Sequence, residues 1–262
     1  MSTQYNAIQA PYNEYRKSTI TLIERANVQE VVAPFIKDAR VLDLACGSGT
    51  YSYEFLKWGA SKVVGVDISS AMIEAARAAS PHRPSNSATI EFKVADCMKP
   101  VPYEGGPFDL VFGAWLLNYA PSGKVMVDMF RNIALNLRDG GYFVGVTPVP
   151  TQDPPASVEA EDKARPSGSG GLFCNVTGAV EDGFSSHAHA DTRLGDVDFD
   201  FYHLRKDVYE ASAREGGLLG ELVWKVTSVP DEFLKDRAGV ASIEELESYK
   251  VTPHYGILNI AK

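Results

Sequence analysis

One short stretch near the start of the chain places the strongest limit on how it folds. Residues 41–50 read VLDLACGSGT, an apolar and β-prone half followed by small residues, and a helical pattern begins at Tyr51. The apolar half predicts a buried parallel strand. Glycines let a ligand approach the backbone, and the start of a helix presents unpaired N–H groups. The stretch therefore predicts a ligand-binding turn between a strand and a helix.

The residues around this turn alternate between strand-like and helix-like patterns. Strands are predicted at 41–44, 62–66, 90–94, 108–112 and 142–146, with helices at 51–58, 70–79 and 124–137 among them. Ser69 or Ser70 has the side chain of an N-cap for the second of these helices. Such alternation over about 110 residues predicts a doubly wound parallel sheet with right-handed crossovers.

Shifts in composition divide the chain into four predicted segments. These are an N-terminal helical lid at 1–38, a ligand-binding core at 39–148, a cap insertion at 149–205, and a segment at 206–262 that completes the sheet. The last segment contains strand-like runs at 221–229 and 254–260, which predict an antiparallel edge. Within the cap, the run SGSGG at 167–171 predicts a flexible hinge.

Tyrosines recur at helical spacing in the first segment. Tyr5, Tyr12 and Tyr15 form this stripe, and a second helix is predicted at 18–35. The stripe is consistent with the packing of an amphipathic helix, and equally with phenol groups that close over a ligand. The sequence leaves both interpretations open.

The charge and the cysteine content limit the functions that this chain can have. The chain has 262 residues and a net charge of −9, and between residues 151 and 200 ten acidic residues face three basic ones. Because nucleic-acid binding needs Lys and Arg to neutralise phosphates, a nucleic-acid partner is disfavoured.

Three widely spaced cysteines without a CxxC pair predict no disulfide framework and no metal site. With no secretory signal and no apolar run of ~20 residues, we expect a cytoplasmic protein without a membrane span.

The glycine turn is typical of more than one class of cofactor site. A dinucleotide site has the pattern G-x-G-x-x-G, but Ser52 stands where the third glycine belongs. A phosphate-binding P-loop is excluded more firmly, because no Lys-Ser/Thr pair follows the glycines.

Carboxylates at successive strands narrow the choice of ligand. Asp43 lies within the first predicted strand, Asp67 ends the second, and Asp96 follows the third. Asp67, twenty positions after Gly47, is placed to accept hydrogen bonds from two ribose hydroxyls. Three acids near one sheet edge disfavour a pyrophosphate. They favour a ligand that carries an ammonium, a sulfonium, a ribose and an exocyclic amine.

These segments resemble the motifs of class I S-adenosylmethionine-dependent methyltransferases. Residues 41–50 resemble motif I, VGVDISSAM at 64–72 motif II, FKVADC at 92–97 motif III, and FDLVFGAWLLNY at 108–119 motif IV. The resemblance covers roughly residues 1–148, in the style of small-molecule enzymes of the UbiE and toxoflavin-biosynthesis types. It implies S-adenosyl-L-methionine as cofactor and S-adenosyl-L-homocysteine as product.

The resemblance also implies an α/β fold class. We expect a doubly wound, mostly parallel seven-stranded sheet of the Rossmann-like kind, with an antiparallel edge strand. An N-terminal helical lid and a cap insertion after the fifth strand complete this expectation.

The resemblance further implies a role for individual residues at the methionine end of the cofactor. Asp43 is expected to face the ammonium, directly or through water, and Tyr12 to reach the carboxylate from the lid. The backbone of five further residues is expected to surround the methionine moiety: Ala45, Gly47, Gly49, Ala114 and Trp115.

At the nucleoside end the resemblance assigns five more residues. Asp67 is expected to hold the ribose hydroxyls, with Ile68 and Met72 against the adenine. Asp96 is expected to accept a hydrogen bond from the adenine amine, and the amide of Cys97 to donate one to the ring.

The acceptor site is less visible in the sequence. Methyl transfer from a sulfonium is an in-line displacement, so much of the catalysis comes from alignment, and a base assists an acceptor that must lose a proton. Strand-like alternation places Phe201 and His203 on one face and Tyr202 on the other. His203 is the first candidate for the base, and Tyr202 is its rival. His187 and His189 are predicted to lie in an exposed polar loop.

The fourth predicted strand bears on the class of acceptor. The Asn/Asp-Pro-Pro-Tyr motif of enzymes that methylate base amines of nucleic acids is absent there, and GAWL stands at 113–116. With the acidic cap, this favours methyl transfer to O or N of a small organic metabolite. We expect a role in secondary metabolism or a quinone-like pathway, and a monomer or homodimer.

Two alternatives stay open at this point. One is an oxidoreductase that binds NAD at the same turn. The other is a methyltransferase-fold protein that uses the cofactor without methyl transfer, as a cyclase or a binding subunit.

Overall fold

A computed structural model describes residues 4–79, 88–165, 172–235 and 243–262. The strands within these residues are β1 (Arg40–Leu44), β2 (Lys62–Asp67), β3 (Thr89–Val94), β4 (Phe108–Ala114), β5 (Leu137–Pro148), β6 (Phe173–Val180), β7 (Gly183–Thr192), β8 (Gly195–Leu204), β9 (Leu222–Val226) and β10 (Tyr255–Ala261). The α-helices are α1 (Gln9–Tyr15), α2 (Thr19–Val32), α3 (Thr50–Lys57), α4 (Ser70–Ala78), α5 (Gly123–Asn136), α6 (Pro154–Ala164), α7 (Lys206–Glu215), α8 (Asp231–Lys235) and α9 (Ile243–Val251). Two 3₁₀ helices cover Gln4–Asn6 and Leu117–Tyr119.

Seven of these strands form one sheet, in the order β3-β2-β1-β4-β5-β10-β9. β1 to β5 run parallel to one another, and β10 is antiparallel to both of its neighbours. The predicted fold class is confirmed, and the antiparallel strand lies one place inside the edge, which is formed by β9. The strand order reverses between β1 and β4, and open α/β sheets bind ligands at the carboxyl ends of such strands.

The central strands are buried on both faces, as their continuous apolar runs predicted. In β1, Leu42 and Leu44 point into one hydrophobic cluster and Val41 into another, because successive side chains of a strand face opposite sides. α5 and α7 cover the first cluster, with Phe130 fully buried there. The sheet is therefore held between two helical layers. A ligand site is expected at the carboxyl ends of its strands.

The predicted helices of the core match the observed ones to within a few residues. Ser69 is the N-cap of α4, and its Oγ accepts a hydrogen bond from the backbone N–H of Met72 at 3.2 Å. α6 was not predicted, because its prolines suggested a loop. Pro154 instead occupies the first turn, where a helix tolerates proline, and Asp153 caps it through a 3.2 Å bond from the N–H of Ala156. The hinge predicted at 167–171 lies outside the described residues.

A second sheet, of order β6-β7-β8, is antiparallel and belongs to the cap. The prediction of a polar loop around His187 and His189 is wrong, because both lie on β7. His187 is paired in register with Asp200 of β8, and His189 with Asp198. Ser, Ala and His have little strand preference of their own, so the pairing with both neighbouring strands decides this structure. Both imidazoles are more than one-third exposed.

No helix among the described residues has the length and apolarity needed to cross a bilayer.

Candidate active site

The candidate site lies at the carboxyl ends of β1, β2 and β4. Two turns there hold the backbone in the left-handed region, with φ of 57° at Ala45, 54° at Gly47 and 60° at Trp115. Side chains with a Cβ rarely adopt this conformation, and it clusters at functional sites. The N–H of Trp115 donates to the carbonyl of Val146 at 2.9 Å, which anchors the second turn to β5. The turns after β1 and β4 therefore converge on one crevice.

The two glycines of the first turn have different surroundings. A Cβ added to Gly47 would meet no atom within 4 Å, so this residue faces open space. Gly49 has φ of 83° and is the N-cap of α3, and a Cβ there would lie 3.0 Å from the ring of Phe92. Gly49 is needed for the left-handed helix start and for packing against β3. Unlike Gly47, it does not line the pockets described below.

A pocket beside the first turn, here called the turn pocket, contains most residues predicted for the methionine end. Its lining residues are Tyr12, Arg16, Asp43, Ala45, Cys46, Gly47, Ser48, Thr50, Tyr51, Ala114 and Trp115. The structure thus brings Tyr12 from α1 together with the ends of β1 and β4.

Asp43 is a buried carboxylate at the base of the turn pocket. Its Oδ2 accepts a hydrogen bond from the hydroxyl of Ser52 at 2.5 Å. Burial raises the pKa of Asp43 to about 7, and the hydrogen bond from Ser52 acts in the opposite direction. A cation placed beside this carboxylate would favour its ionised form.

Arg16 lies in the turn pocket and was not predicted from the sequence. Its Nη2 donates to Oε1 of Glu24 at 2.9 Å and its Nη1 to Oε2 at 3.3 Å. Glu24 is fully buried and also accepts from the hydroxyl of Tyr51 at 2.6 Å and from Nε1 of Trp115 at 3.1 Å. These bonds hold the guanidinium at the pocket. The only sequence signal was a basic residue directly after the tyrosine stripe.

A second pocket, here called the sheet-edge pocket, collects residues predicted for the nucleoside end. It is lined by Gln4, Tyr5, Ala45, Asp67, Ile68, Asp96, Cys97, Met98, Leu116, Tyr119 and Met129. Both carboxylate oxygens of Asp67 are oriented by backbone, since they accept from the N–H groups of Gly47 and Ser69, each at 2.8 Å. Burial raises the pKa of Asp67, and these bonds oppose the shift.

The flanking residues of the sheet-edge pocket differ in their availability to a ligand. Ile68 is 36% exposed, so an apolar surface is free beside Asp67. Asp96 accepts from the N–H of Met98 at 3.0 Å and lies 3.3 Å from the ammonium of Lys99. Met72 is not at the pocket surface, because α4 buries its side chain almost completely in the core. The prediction that Met72 packs against the adenine therefore disagrees with its position.

A third cavity lies under the cap and is here called the aromatic cavity. The space between its lining residues is about 640 Å³, part of which is open to solvent. It is lined by Tyr5, Tyr12, Tyr15, Arg16, Trp115, Asn118, Pro148, Val158, Glu161, Leu172, Cys174, Phe199, Phe201, His203, His254 and Tyr255. Tyr12, Arg16 and Trp115 also line the turn pocket, so the two spaces are neighbours across these three side chains.

The two predicted catalytic residues lie on opposite faces of β8. His203 lines the aromatic cavity and is 4% exposed, whereas Tyr202 packs against the hydrophobic core on the other face. Nε2 of His203 lies 3.1 Å from the carbonyl of Val149, so this nitrogen carries the proton and donates it. Burial lowers the pKa of His203 to about 4, and the imidazole is neutral at pH 7. The position of Tyr202 does not support its predicted role.

Two further titratable groups of the aromatic cavity were not predicted. Glu161 of α6 and His254, which precedes β10, approach to 3.4 Å between Oε2 and Nδ1. Burial raises the pKa of Glu161 to about 8 and lowers that of His254 to about 4. At pH 7 both groups are therefore largely uncharged, because desolvation outweighs the attraction of an ion pair at this distance. No spacing in the sequence links residues 93 positions apart.

The N-terminal segment closes over the pockets through polar contacts. Oγ of Ser69 donates to Oδ1 of Asn6, and Oγ of Ser48 to Oδ1 of Asn13, each at 2.6 Å. Gln4 makes two 3.0 Å bonds with the backbone of Asp200 in β8. The segment thus joins both cofactor-side loops to the cap sheet.

The positions of the lid tyrosines are consistent with both interpretations that the sequence left open, packing of an amphipathic helix and contact with a ligand. Tyr5 packs edge-on against Tyr12 and Tyr119, with ring centroids 5.4 and 6.0 Å apart, and its hydroxyl is hydrogen-bonded to that of Tyr119. Tyr5 also lines both the aromatic cavity and the sheet-edge pocket. The stripe is at once a packed cluster and a wall of the site. Across the described part of the chain, no group of three His, Cys, Asp or Glu is arranged to hold a metal ion.

The fold and a sequence profile together identify one domain of the chain. The strand order and the turn between β1 and α3 are those of a Rossmann-like methyltransferase fold. A sequence profile described as "Methyltransferase domain" matches residues 41–141. These residues are therefore a methyltransferase domain, and the predicted resemblance to class I S-adenosylmethionine-dependent methyltransferases is confirmed for this domain and for the fold.

Individual relatives agree with this assignment over less than half of the chain. An mRNA cap guanine-N(7) methyltransferase of Caenorhabditis elegans is 33% identical over 125 residues, which are 43% of this chain and 32% of that protein. A malonyl-[acyl-carrier protein] O-methyltransferase of Legionella pneumophila is 35% identical over 106 residues, 38% of this chain and 34% of that protein. The chain spans about a third of the length of these curated relatives.

A solved structure matches nearly the whole fold. The S-adenosylmethionine-dependent methyltransferase from Mesorhizobium loti superposes with a TM-score of 0.59 at 20% identity, over 90% of this chain and 96% of that one. At this identity the likeness establishes the fold alone.

Proposed function

We propose that this protein is an S-adenosyl-L-methionine-dependent methyltransferase that acts on O or N of a small organic compound. One observation carries the proposal: the turn pocket, the sheet-edge pocket and the aromatic cavity are neighbours that share lining residues. Ala45 is common to the first two, and Trp115 to the turn pocket and the aromatic cavity. A cofactor that spans the first two pockets has its sulfonium next to the third.

The chemistry of the lining residues fits the cofactor. In the turn pocket the methionine ammonium would face Asp43, and its carboxylate would face the guanidinium of Arg16 and the hydroxyl of Tyr12. A Cβ added at Gly47 would meet no atom within 4 Å, so the backbone of the turn is open to a ligand there. When bound, this cofactor supplies a methyl group already activated by the positive sulfur.

In the sheet-edge pocket the nucleoside has a matching set of groups. The oriented oxygens of Asp67 retain lone pairs that can accept from two ribose hydroxyls. Ile68 would offer an apolar face to the adenine, and Asp96 and the amide of Cys97, which line the same pocket, would bond its amine and a ring nitrogen.

The acceptor belongs in the aromatic cavity. Most of its lining comes from outside the matched residues 41–141, namely from the lid, the cap and the residues before β10. The named acceptors of the relatives, a cap guanine and a malonyl carrier protein, therefore do not carry over to this chain.

His203 is the proposed proton acceptor in this cavity. Because Nε2 donates to Val149, the lone pair is on Nδ1. A pKa of about 4 makes this imidazole a weak base, so we assign most of the catalysis to alignment of the acceptor with the methyl group.

Titration calorimetry tests the cofactor. We expect S-adenosyl-L-homocysteine to bind with micromolar affinity and NAD to show no heat of binding. Binding of NAD alone would overturn the proposal in favour of an oxidoreductase.

Transfer of isotope-labelled methyl groups from the cofactor into extracts of small metabolites tests the reaction. Incorporation supports the proposal. Binding of S-adenosyl-L-homocysteine without transfer into any extract would favour a protein that uses the fold without methyl transfer.

A further inference from the structure

Asn118 is a buried amide in the wall of the aromatic cavity whose function the site does not yet explain. It lies in the 3₁₀ helix Leu117–Tyr119, directly after the turn at Trp115. The residue is 1% exposed, and its Oδ1 has no hydrogen-bond partner among the described residues. A buried acceptor without a partner costs free energy, and native structures contain few of them.

Asn118 differs from the other residues with unpaired buried polar atoms in its position at the aromatic cavity. Within the described ranges, eight buried side-chain N or O atoms have no partner. Asn118 is the one among their residues that lines the aromatic cavity. The contrast with Asn132 is clear, because the amide of that equally buried residue accepts from Val101 at 3.1 Å and donates to Cys97 at 3.0 Å. An unused acceptor at a ligand cavity indicates a donor on the ligand.

The charges around the cavity restrict what that ligand can be. The guanidinium of Arg16 is paired with Glu24 through two bonds, and in the proposed function its remaining donors face the carboxylate of the cofactor. Burial lowers the pKa of both His203 and His254 to about 4 and raises that of Glu161 to about 8, so these three groups are largely neutral at pH 7. A carboxylate or phosphate on the acceptor would find no free cation among the described lining residues.

The shape of the lining points to a flat compound. Tyr5, Phe199 and Phe201 pack in a row, with neighbouring ring centroids 5.8 and 6.2 Å apart. Trp115 and Tyr255 meet edge-on at 4.6 Å on another part of the lining. Aromatic walls of this kind favour planar rings over flexible or strongly polar compounds.

We propose that Asn118 selects the acceptor, with its Oδ1 accepting a hydrogen bond from the O–H or N–H of an uncharged, planar aromatic compound in the aromatic cavity. This inference rests on the proposed function, since it places the acceptor beside the methyl-bearing end of the cofactor. Asn118 acts as a specificity residue for binding. An acceptor without the donor leaves the amide oxygen unpaired, and the site discriminates against it.

Calorimetry with three matched probes tests the proposal in the presence of saturating S-adenosyl-L-homocysteine. 2-Naphthol carries the donor, 2-methoxynaphthalene lacks it, and 2-naphthoate is charged. We expect the wild-type protein to bind 2-naphthol about tenfold more tightly than 2-methoxynaphthalene, and 2-naphthoate least. In Asn118→Leu, whose side chain has the same number of heavy atoms and the same branch at Cγ, the first two probes should bind equally, through a loss of 2-naphthol affinity alone.

Unfolding in urea distinguishes this function from a structural one. Because, within the described chain, Oδ1 is unpaired and the Asn118 side chain contributes a hydrogen bond only to the hydroxyl of Tyr119, Asn118→Leu should lower the unfolding midpoint less than Asn132→Leu does. Asn132→Leu is the control, and it should lower the midpoint because it removes satisfied hydrogen bonds. A midpoint lowered equally in both variants, with an unchanged probe ratio in Asn118→Leu, would overturn the proposal.

The outcomes separate this inference from the proposed function. Absence of S-adenosyl-L-homocysteine binding contradicts the function itself. Cofactor binding without a preference of the wild-type protein for 2-naphthol, or without any binding of 2-naphthol, overturns the assignment of Asn118 and leaves the function intact. The wild-type probe series decides the matter even if Asn118→Leu fails to fold.

Discussion

Asp43 shows how one residue couples the fold to the chemistry of the site. Strand β1 buries the carboxylate, and burial raises its pKa from 3.8 to about 7. Since the charged form is disfavoured only while no cation is nearby, an ammonium bound in the turn pocket would draw the proton off. In the proposed function, the folded protein would therefore hold a carboxylate that ionises when the cofactor binds.

This coupling predicts a pH dependence of cofactor binding. Below pH 7 the empty site holds protonated Asp43, so binding must release a proton, and the affinity for S-adenosyl-L-homocysteine should rise with pH. The rise should approach tenfold per pH unit near pH 5.5 and level off above pH 7. Calorimetry from pH 5.5 to 8 measures it. Asp43→Asn is the control, and it should bind more weakly and lose this slope, while a flat profile in the wild type would contradict the prediction.

Asp67 allows a second prediction at this scale. Asp67→Asn keeps the size of the side chain but replaces one acceptor oxygen with a donor, so it can no longer accept from both ribose hydroxyls. We expect the affinity for S-adenosyl-L-homocysteine to fall by about 1.5–3 kcal/mol, the range for a hydrogen bond to a charged group. Asp128→Asn, at a half-exposed position of α5, serves as the matched control and should not change the affinity. Equal affinities for all three proteins would show that Asp67 does not hold the ribose.

At the level of elements, the N-terminal segment decides access to the site. The packing of the 3₁₀ helix Gln4–Asn6 and α1 is limited to the aromatic cluster of Tyr5 and Tyr12 and to Tyr15, the one buried residue of α1. The segment is held mainly by side-chain contacts to the turns and to β8. Elements with few buried contacts open locally at low free energy, which suits a lid.

Gln4→Ala tests the attachment of the lid. The change removes two hydrogen bonds to β8, so we expect the segment to open more often and trypsin to cleave after the exposed Lys17 about three- to tenfold faster. Saturating S-adenosyl-L-homocysteine should slow cleavage in both proteins. Gln9→Ala in α1 is the control, because within the described chain the side chain of Gln9 makes no recorded hydrogen bond. Equal cleavage rates for Gln4→Ala and the wild type would mean that this contact does not hold the lid.

For the molecule as a whole, charge bears on the choice between small and polymeric acceptors. The net charge is −9, and the cap carries much of it. Phosphate backbones bind through Lys and Arg and release counterions, so a surface of this sign repels them at long range.

A binding assay with capped RNA turns this argument into a prediction. We expect no complex with a short capped RNA at 150 mM salt, and none that strengthens steeply as salt is lowered, when fluorescence anisotropy is measured with S-adenosyl-L-homocysteine present. The same RNA bearing no cap serves as the control. Salt-sensitive binding in the micromolar range would contradict the small-molecule proposal and favour an acceptor like that of the cap methyltransferase relative.

The cofactor half of the site could be predicted from the sequence because it is local. Residues 41–50 form strand, turn and helix start in one continuous run, and the parallel sheet topology brings Asp67 and Asp96 to the same edge. The order of the strands follows from the alternating pattern and the handedness of the crossovers. These features depend on periodicity and on backbone geometry, both of which are visible in a single sequence.

The acceptor half was decided by tertiary structure. Arg16, Glu24 and Trp115 meet through long-range packing, and so do Glu161 and His254. His187 and His189 lie in a strand because both neighbouring strands pair with β7. Met72 lies on the buried face of α4, in the core. Burial, hydrogen-bond satisfaction and the pKa values that follow from them depend on every element that packs around a group. For that reason the sequence by itself determined the cofactor class, and only the folded molecule disclosed the aromatic cavity and the unpaired oxygen of Asn118.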